Sequence, residues 1–206
     1  LIEPKSEAAM KKIFVLVRSK TGHDFSLYKP STIYRRIERR MAVQHIETVQ
    51  DYVKYCQESP VEVEALFRDM LIGVTSFFRD PDVFEILEKQ IIPQLFKNKS
   101  AATDLVRVWI SGCSTGEEAY SIAILIREYL ESSKSECSVQ IYATDIDSRA
   151  IATARAGAYP VSIVSDVNSE RLSRFFTINP GENVYRINKN IREMLVFSEH
   201  NVIKDP

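Results

Sequence analysis

The stretch Val106–Ala123, VRVWISGCSTGEEAYSIA, decides the fold. It opens on an apolar run, Val106, Val108, Trp109 and Ile110, long enough for one buried parallel strand. A turn rich in Gly, Ser and Thr runs from Ser111 to Gly116. Ala119, Ile122, Ala123, Ile126 and Tyr129 then recur at steps of three and four, which is the period of a helix. Strand, glycine turn and helix form the first unit of a nucleotide-binding α/β domain. Gly112 and Gly116 let the backbone turn sharply and pass close to a ligand. The helix start offers unpaired N–H groups to polar ligand atoms.

A second strand, Val139–Thr144, ends in Asp145, where folds of this class hold ribose hydroxyls. The turn lacks the dinucleotide fingerprint, because Ser114 and Glu117 stand where GxGxxG needs glycine. This disfavours a nicotinamide-dependent oxidoreductase. No Gly-Lys-Ser/Thr follows, so the turn is not a phosphate-gripping loop either. Glu117 and Glu118 would repel a pyrophosphate and suit a ligand with a cationic end. A ribose-binding Asp, an acidic turn and no phosphate grip point to S-adenosylmethionine, which carries a sulfonium and an ammonium and no phosphate. The plainer alternative is a unit whose glycines only make the turn.

Outward from this stretch, the chain of 206 residues suits one large domain or two small ones. An apolar content of 45% beside 27% charged residues predicts a globular core. A net charge of −1 argues against non-specific nucleic-acid binding. Cys56, Cys113 and Cys137 are widely spaced and form no CxxC, which fits reduced thiols in a cytoplasmic protein. His23, His45 and His200 add no metal spacing. No apolar run approaches the length of a membrane span, so no membrane insertion is expected. The chain opens on Leu1, which suggests a piece of a longer polypeptide.

Residues 7–96 read as helices only. The first covers Ala9–Lys20, with Gly22 just past its end. The second runs from Pro30 or Ser31 to about Val43. Thr48 and Asp51 resemble a capping box for the third. Ser59, Pro60 and Glu62 supply a cap, a first-turn proline and a capping acid for the fourth, which Gly73 stops. Asp80 and Pro81 start a fifth, with Val83, Phe84, Leu87 and Ile91 on one face and Pro93 near its end. The reading is therefore a helical domain over 1–96, a linker over 97–104 and an α/β domain over 105–206. Within the latter, a helix over Asp147–Ala156 closes at Gly157, and Ser169–Phe176 is a short helix. Val184–Ile187 is a small strand or hairpin arm, and Leu195–Ser198 is the third main strand.

Two further patterns stand out. In the second helix Ile33, Tyr34, Ile37 and Met41 share one side, while Arg35, Arg36, Arg39 and Arg40 share the other. This arginine stripe is either a solvated face or a docking surface for an acidic partner. The loop Gly73–Arg79, GVTSFFR, places Thr75 and Arg79 beside aromatic anchors and is a candidate active-site wall. A salt bridge from Arg79 to Asp80 or Asp82 is the structural alternative.

VTSFFRDPDVF, VWISGCSTGEEAYSIAIL, IYATDIDSRAIATARAGAYP and EHNVIKDP, in this order, resemble the chemotaxis methyltransferase family, CheR. TGHDFSLYKPSTIYRRIERRM resembles the helical N-terminal domain of the same family, particularly the CheR part of CheB–CheR hybrid proteins. The resemblance spans essentially the whole chain. It implies a small all-helical domain followed by a Rossmann-like class I methyltransferase domain, C-terminally truncated. It implies a protein-glutamate O-methyltransferase that converts S-adenosylmethionine to S-adenosylhomocysteine. The substrates it implies are glutamates on the cytoplasmic helices of chemoreceptors.

By motif, the resemblance places Thr75, Arg79 and Glu117 at the cofactor's methionine end and Asp145 at the ribose. Gly112 lies in the turn beneath the cofactor, and Asn201 and Val202 line the adenine side. Arg79 is the candidate catalytic residue, orienting carboxylates. Many members carry Asn where this chain has Gly73. The family's later Cys-Arg-Asn strand motif, active-site Tyr and remaining strands lie beyond Pro206, and no inserted receptor-tail subdomain is expected. With only three main strands, the first would have an open edge and the chain would self-associate there or order poorly. A module that binds the cofactor without methylating is the alternative function.

Overall fold

The computed structural model describes residues 4–205, apart from 72, 100, 102, 180 and 182. It divides into two compact units, Leu1–Ile72 and Gly73–Pro206.

The first unit is four helices: α1 (Pro4–Thr21), α2 (Pro30–Val43), α3 (Val49–Glu58) and α4 (Pro60–Met70). Their starts follow local chemistry. Pro30 and Pro60 stand in first turns, where a missing N–H costs nothing. Thr48 and Ser59 accept the N–H groups of Asp51 and Glu62 as caps. Ile13, Val17, Ile33, Ile37, Tyr52, Leu66 and Met70 fill the core.

Two expectations fail here because α4 approaches α2. Glu62 is no capping acid: it is 3% exposed, and its carboxylate accepts from Arg40 Nε at 2.9 Å and another Arg40 nitrogen at 2.6 Å. Tyr52 donates its phenol at 2.7 Å and Gln44 its amide at 2.8 Å. Arg40 therefore belongs to a buried network and not to an exposed stripe. Arg39 stays exposed with a long contact to Asp69 at 3.8 Å. Arg35 is exposed and Arg36 partly so.

The second unit begins with the loop 73–80. Then come α5 (Pro81–Ile86), a π-turn (Leu87–Ile91) and α6 (Ile92–Leu95). The sequence reading joined these helices to the N-terminal domain. Their Phe84, Ile92 and Phe96 lie instead in the core of the α/β unit, along with Phe77. The predicted face also shifts. Pro93 has no N–H, and its ring would collide with a carbonyl one turn back. The wider π-turn relieves this and advances the buried position by one, so Ile92 is buried and Ile91 exposed.

The α/β part runs β1 (Leu105–Ser111), α7 (Glu117–Ser133), β2 (Ser138–Asp145), α8 (Ser148–Ala156), β3 (Ala158–Pro160), α9 (Ser169–Phe175), β4 (Phe176–Asn179), β5 (Val184–Ile187), α10 (Lys189–Arg192) and β6 (Leu195–Glu199). A parallel sheet has the order β1-β2-β6, and among the described residues β1 forms an open edge. Val106, Ile110, Ile141, Ala143, Leu195 and Phe197 face the helices. The other face is uncovered by described residues, so Trp109 is 59% exposed rather than buried as expected. The second sheet, β3-β5-β4, is antiparallel and inserted between α8 and β6. Only β5 was foreseen. An inserted subdomain is thus present, whereas the sequence was read as lacking one that tethers receptor tails.

Candidate functional site

The site builds up from the C-terminal ends of β1, β2 and β6. The turn after β1 is tied to the end of β2: Gly112 and Cys113 donate N–H groups to the Thr144 carbonyl at 2.7 and 3.0 Å. One residue on, Asp145 accepts the Ser114 N–H at 2.7 Å and the Asp147 N–H at 2.8 Å. Its two oxygens are thus fixed, yet a carboxylate has about four lone-pair sites and retains acceptor capacity. The His200 N–H reaches the Asp145 carbonyl at 2.9 Å, bringing the end of β6 to the same place.

The two glycines of the turn differ. Both have positive φ, +72° at Gly112 and +95° at Gly116. A Cβ at Gly116 would lie 2.9 Å from the Ala154 Cβ and 3.1 Å from the Tyr159 hydroxyl. A Cβ at Gly112 would meet nothing within 4 Å. Gly116 is thus demanded by packing against α8, whereas Gly112 faces open space that a ligand can approach. Glu117 opens α7 and accepts from the Thr115 hydroxyl at 2.6 Å. Tyr159 steadies the turn by donating to the Thr115 carbonyl at 2.7 Å.

The loop 73–80 borders this turn. A Cβ on Gly73 would stand 3.2 Å from Ser114 Oγ. Phe77 packs edge-on against Tyr159 and Phe176, at centroid distances of 4.9 and 5.5 Å. The Phe78 N–H donates to Ser121 Oγ at 3.0 Å, and the Arg171 guanidinium lies 4.6 Å from its ring centroid. Thr75 is partly buried. Arg79 donates to the Val74 carbonyl at 2.7 Å. Its contact with Asp80 is only 4.0 Å between exposed groups, so the ion pair does not consume the guanidinium. Asn201 follows β6 and caps a turn, its Oδ1 accepting the Ile203 N–H at 3.1 Å, and Val202 is exposed.

The structure therefore brings Gly112, Glu117, Asp145 and the 73–80 loop around one turn, with Asn201 two residues past the end of β6. Arg35, Arg36, Arg39 and Arg40 lie in the other unit. The sequence reading missed Ser114, Ser121, Tyr159 and Arg171, whose roles depend on partners distant in the chain.

The chemistry of these acidic acceptors suits S-adenosylmethionine. Glu117, Glu118 and Asp145 favour a ligand with positive groups and oppose a phosphate. Ser114 Oγ is buried and has no partner among the described residues. Burial, reinforced by the charge of Asp145, pushes the Cys113 thiol up to about 12. It stays protonated and is no nucleophile at neutral pH. Burial likewise raises the Tyr159 phenol above its ordinary value, so it remains a neutral donor.

The comparisons with known proteins agree with this geometry. Residues 8–71 match the family model described as CheR methyltransferase, all-alpha domain. Residues 73–206 match CheR methyltransferase, SAM binding domain. The break between the two falls at the boundary of the compact units, not at residue 96. An uncharacterized 104.1 kDa protein of Rhodobacter capsulatus is 41% identical over 183 residues, 89% of this chain and 19% of that protein. A chemotaxis protein methyltransferase of Listeria innocua is 30% identical over 191 residues, 92% of this chain and 69% of its own. Chemotaxis protein methyltransferase 2 of Pseudomonas aeruginosa is 28% identical, covering 89% of this chain and 64% of its own. The chain thus spans about a fifth of the first relative and about two thirds of the other two. With a helical domain and an S-adenosylmethionine-binding domain matched in order over nearly its whole length, the chain belongs to the CheR methyltransferase family.

Proposed function

We propose that the protein methylates glutamate side chains of chemoreceptors, using S-adenosylmethionine bound at the β1–α7 turn. The observation that carries this is Asp145, pinned by two backbone N–H groups beside a glycine that faces open space. Asp145 would hold the ribose, Glu117 the ammonium, Thr75 and Arg79 the methionine carboxylate, and Asn201 and Val202 the adenine. When bound, the cofactor supplies an electrophilic methyl group on a sulfonium. The acceptor glutamate is already ionised at neutral pH, so no strong base is needed. What remains for the chain is to align the carboxylate and exclude water. Arg79, with its guanidinium half-exposed, would orient that carboxylate electrostatically.

The names of the relatives support a chemoreceptor substrate. Arg35, Arg36 and Arg39 would dock its acidic helix, without Arg40. The open edge of β1 would support self-association of the chain, read by light scattering.

The test is calorimetric titration with S-adenosylhomocysteine. Asp145→Ala should weaken binding by about 1.5–3 kcal/mol, the range for hydrogen bonds to a charged group. Unchanged affinity removes the ribose assignment. Transfer of labelled methyl groups to receptor membranes tests the reaction, and binding without transfer would favour a cofactor-sensing module.

A further inference from the structure

Ser114 is the most anomalous residue of the turn. Its φ is +49°, a left-handed conformation that a serine adopts at a cost of about 1–2 kcal/mol. It is 8% exposed. Its Oγ has no hydrogen-bond partner among the described residues. Three other hydroxyls around the turn are engaged: Thr115 on Glu117, Ser121 on the Glu117 carbonyl, and Thr144 accepting from Trp109. A buried hydroxyl without a partner costs about 1–3 kcal/mol, and alanine would pack there without that cost. Left-handed strain and an orphaned polar atom at one residue point to a group supplied from outside the chain.

Position identifies the group. The Ser114 N–H is held by Asp145 at 2.7 Å. Its Oγ lies toward the 73–80 loop, since a Cβ on Gly73 would stand 3.2 Å away. The hydroxyl therefore sits between the glycine turn and the loop that carries Thr75 and Arg79. We propose that Ser114 Oγ is a direct ligand of the amino-acid end of S-adenosylmethionine. This rests on the cofactor placement proposed above. A hydroxyl both donates and accepts, so it can serve either polar group of that end.

The test compares two ligands. S-adenosylhomocysteine has the amino-acid end, and 5′-methylthioadenosine lacks it. Ser114→Ala should weaken the first by about ten- to a hundred-and-fifty-fold, the range for one hydrogen bond to a charged group, and leave the second unchanged. Equal losses for both ligands, or no loss for either, overturns the assignment. If the unsubstituted protein binds neither ligand, the cofactor placement itself falls, and this inference with it.

Discussion

Two carboxylates, one in each unit, are treated in opposite ways. Glu62 receives three side chains, Arg40, Tyr52 and Gln44, and is 3% exposed. Asp145 receives two backbone N–H groups at the end of a strand and stays partly exposed. The first is saturated by its own chain and locks α2, α3 and α4 together. The second is oriented but not filled, which leaves acceptor sites for a ligand. An acid closed by side chains serves the fold, and an acid held by the backbone is the one proposed above to serve a site.

Four experiments break or sharpen this contrast. The largest effect is expected from Glu62→Ala. It leaves the Arg40 guanidinium, only 16% exposed, without its counter-charge. Removing one partner of a buried pair costs about 3–5 kcal/mol. Denaturant unfolding should show that loss in the helical unit, with S-adenosylhomocysteine affinity unchanged. A loss below about 1 kcal/mol would mean that the network is incidental.

Next are the paired glycines. Gly116→Ala combines left-handed strain with a Cβ 2.9 Å from Ala154, and should cost about 2–4 kcal/mol. Gly112→Ala meets open space and should cost only the backbone term of about 1–2 kcal/mol, while weakening cofactor binding. Equal costs in thermal melts would erase the distinction between a packed and an open side of the turn.

The third is acid sensitivity. Burial opposes ionisation of Glu62, but hydrogen bonds from Arg40, Tyr52 and Gln44 outweigh it and hold the carboxyl below its ordinary value of 4.5. A group with a depressed folded-state pKa stabilises fully above its unfolded pKa and loses that contribution as pH falls through the folded one. The helical unit should melt at a constant temperature across neutral pH and lose stability only below about pH 4.5. Glu62→Gln should flatten that acid limb, and an unchanged limb would place the sensitivity elsewhere.

The smallest effect on stability, under about 0.5 kcal/mol, is expected from Arg35→Glu with Arg36→Glu, since neither belongs to the buried network. Receptor methylation should nonetheless slow while S-adenosylhomocysteine binding holds. Full methylation at low salt would make the stripe a solvated face.

The sequence by itself determined what depends on near neighbours in the chain. Helix starts were legible because Thr48, Ser59 and Asp147 bond N–H groups only two or three residues away. The β1–α7–β2 unit, with Gly112, Glu117 and Asp145, was legible because one continuous stretch carries it. What only the tertiary structure decided depends on distant partners. The wheel put Arg40 with the other arginines, but an acid 22 residues on draws it inward. The segment from Pro81 to Phe96 went to the other core because Phe84 packs on Phe78 and Phe96 meets Tyr129 of α7 at a centroid distance of 5.3 Å. The inserted sheet pairs Ala158 with Arg186 across a span that no local period encodes. Ser114 reads as an ordinary turn residue until packing buries its hydroxyl without a partner among the described residues. Short-range hydrogen bonds and apolar periods are written along the chain, whereas burial and charge pairing are fixed only when remote segments meet.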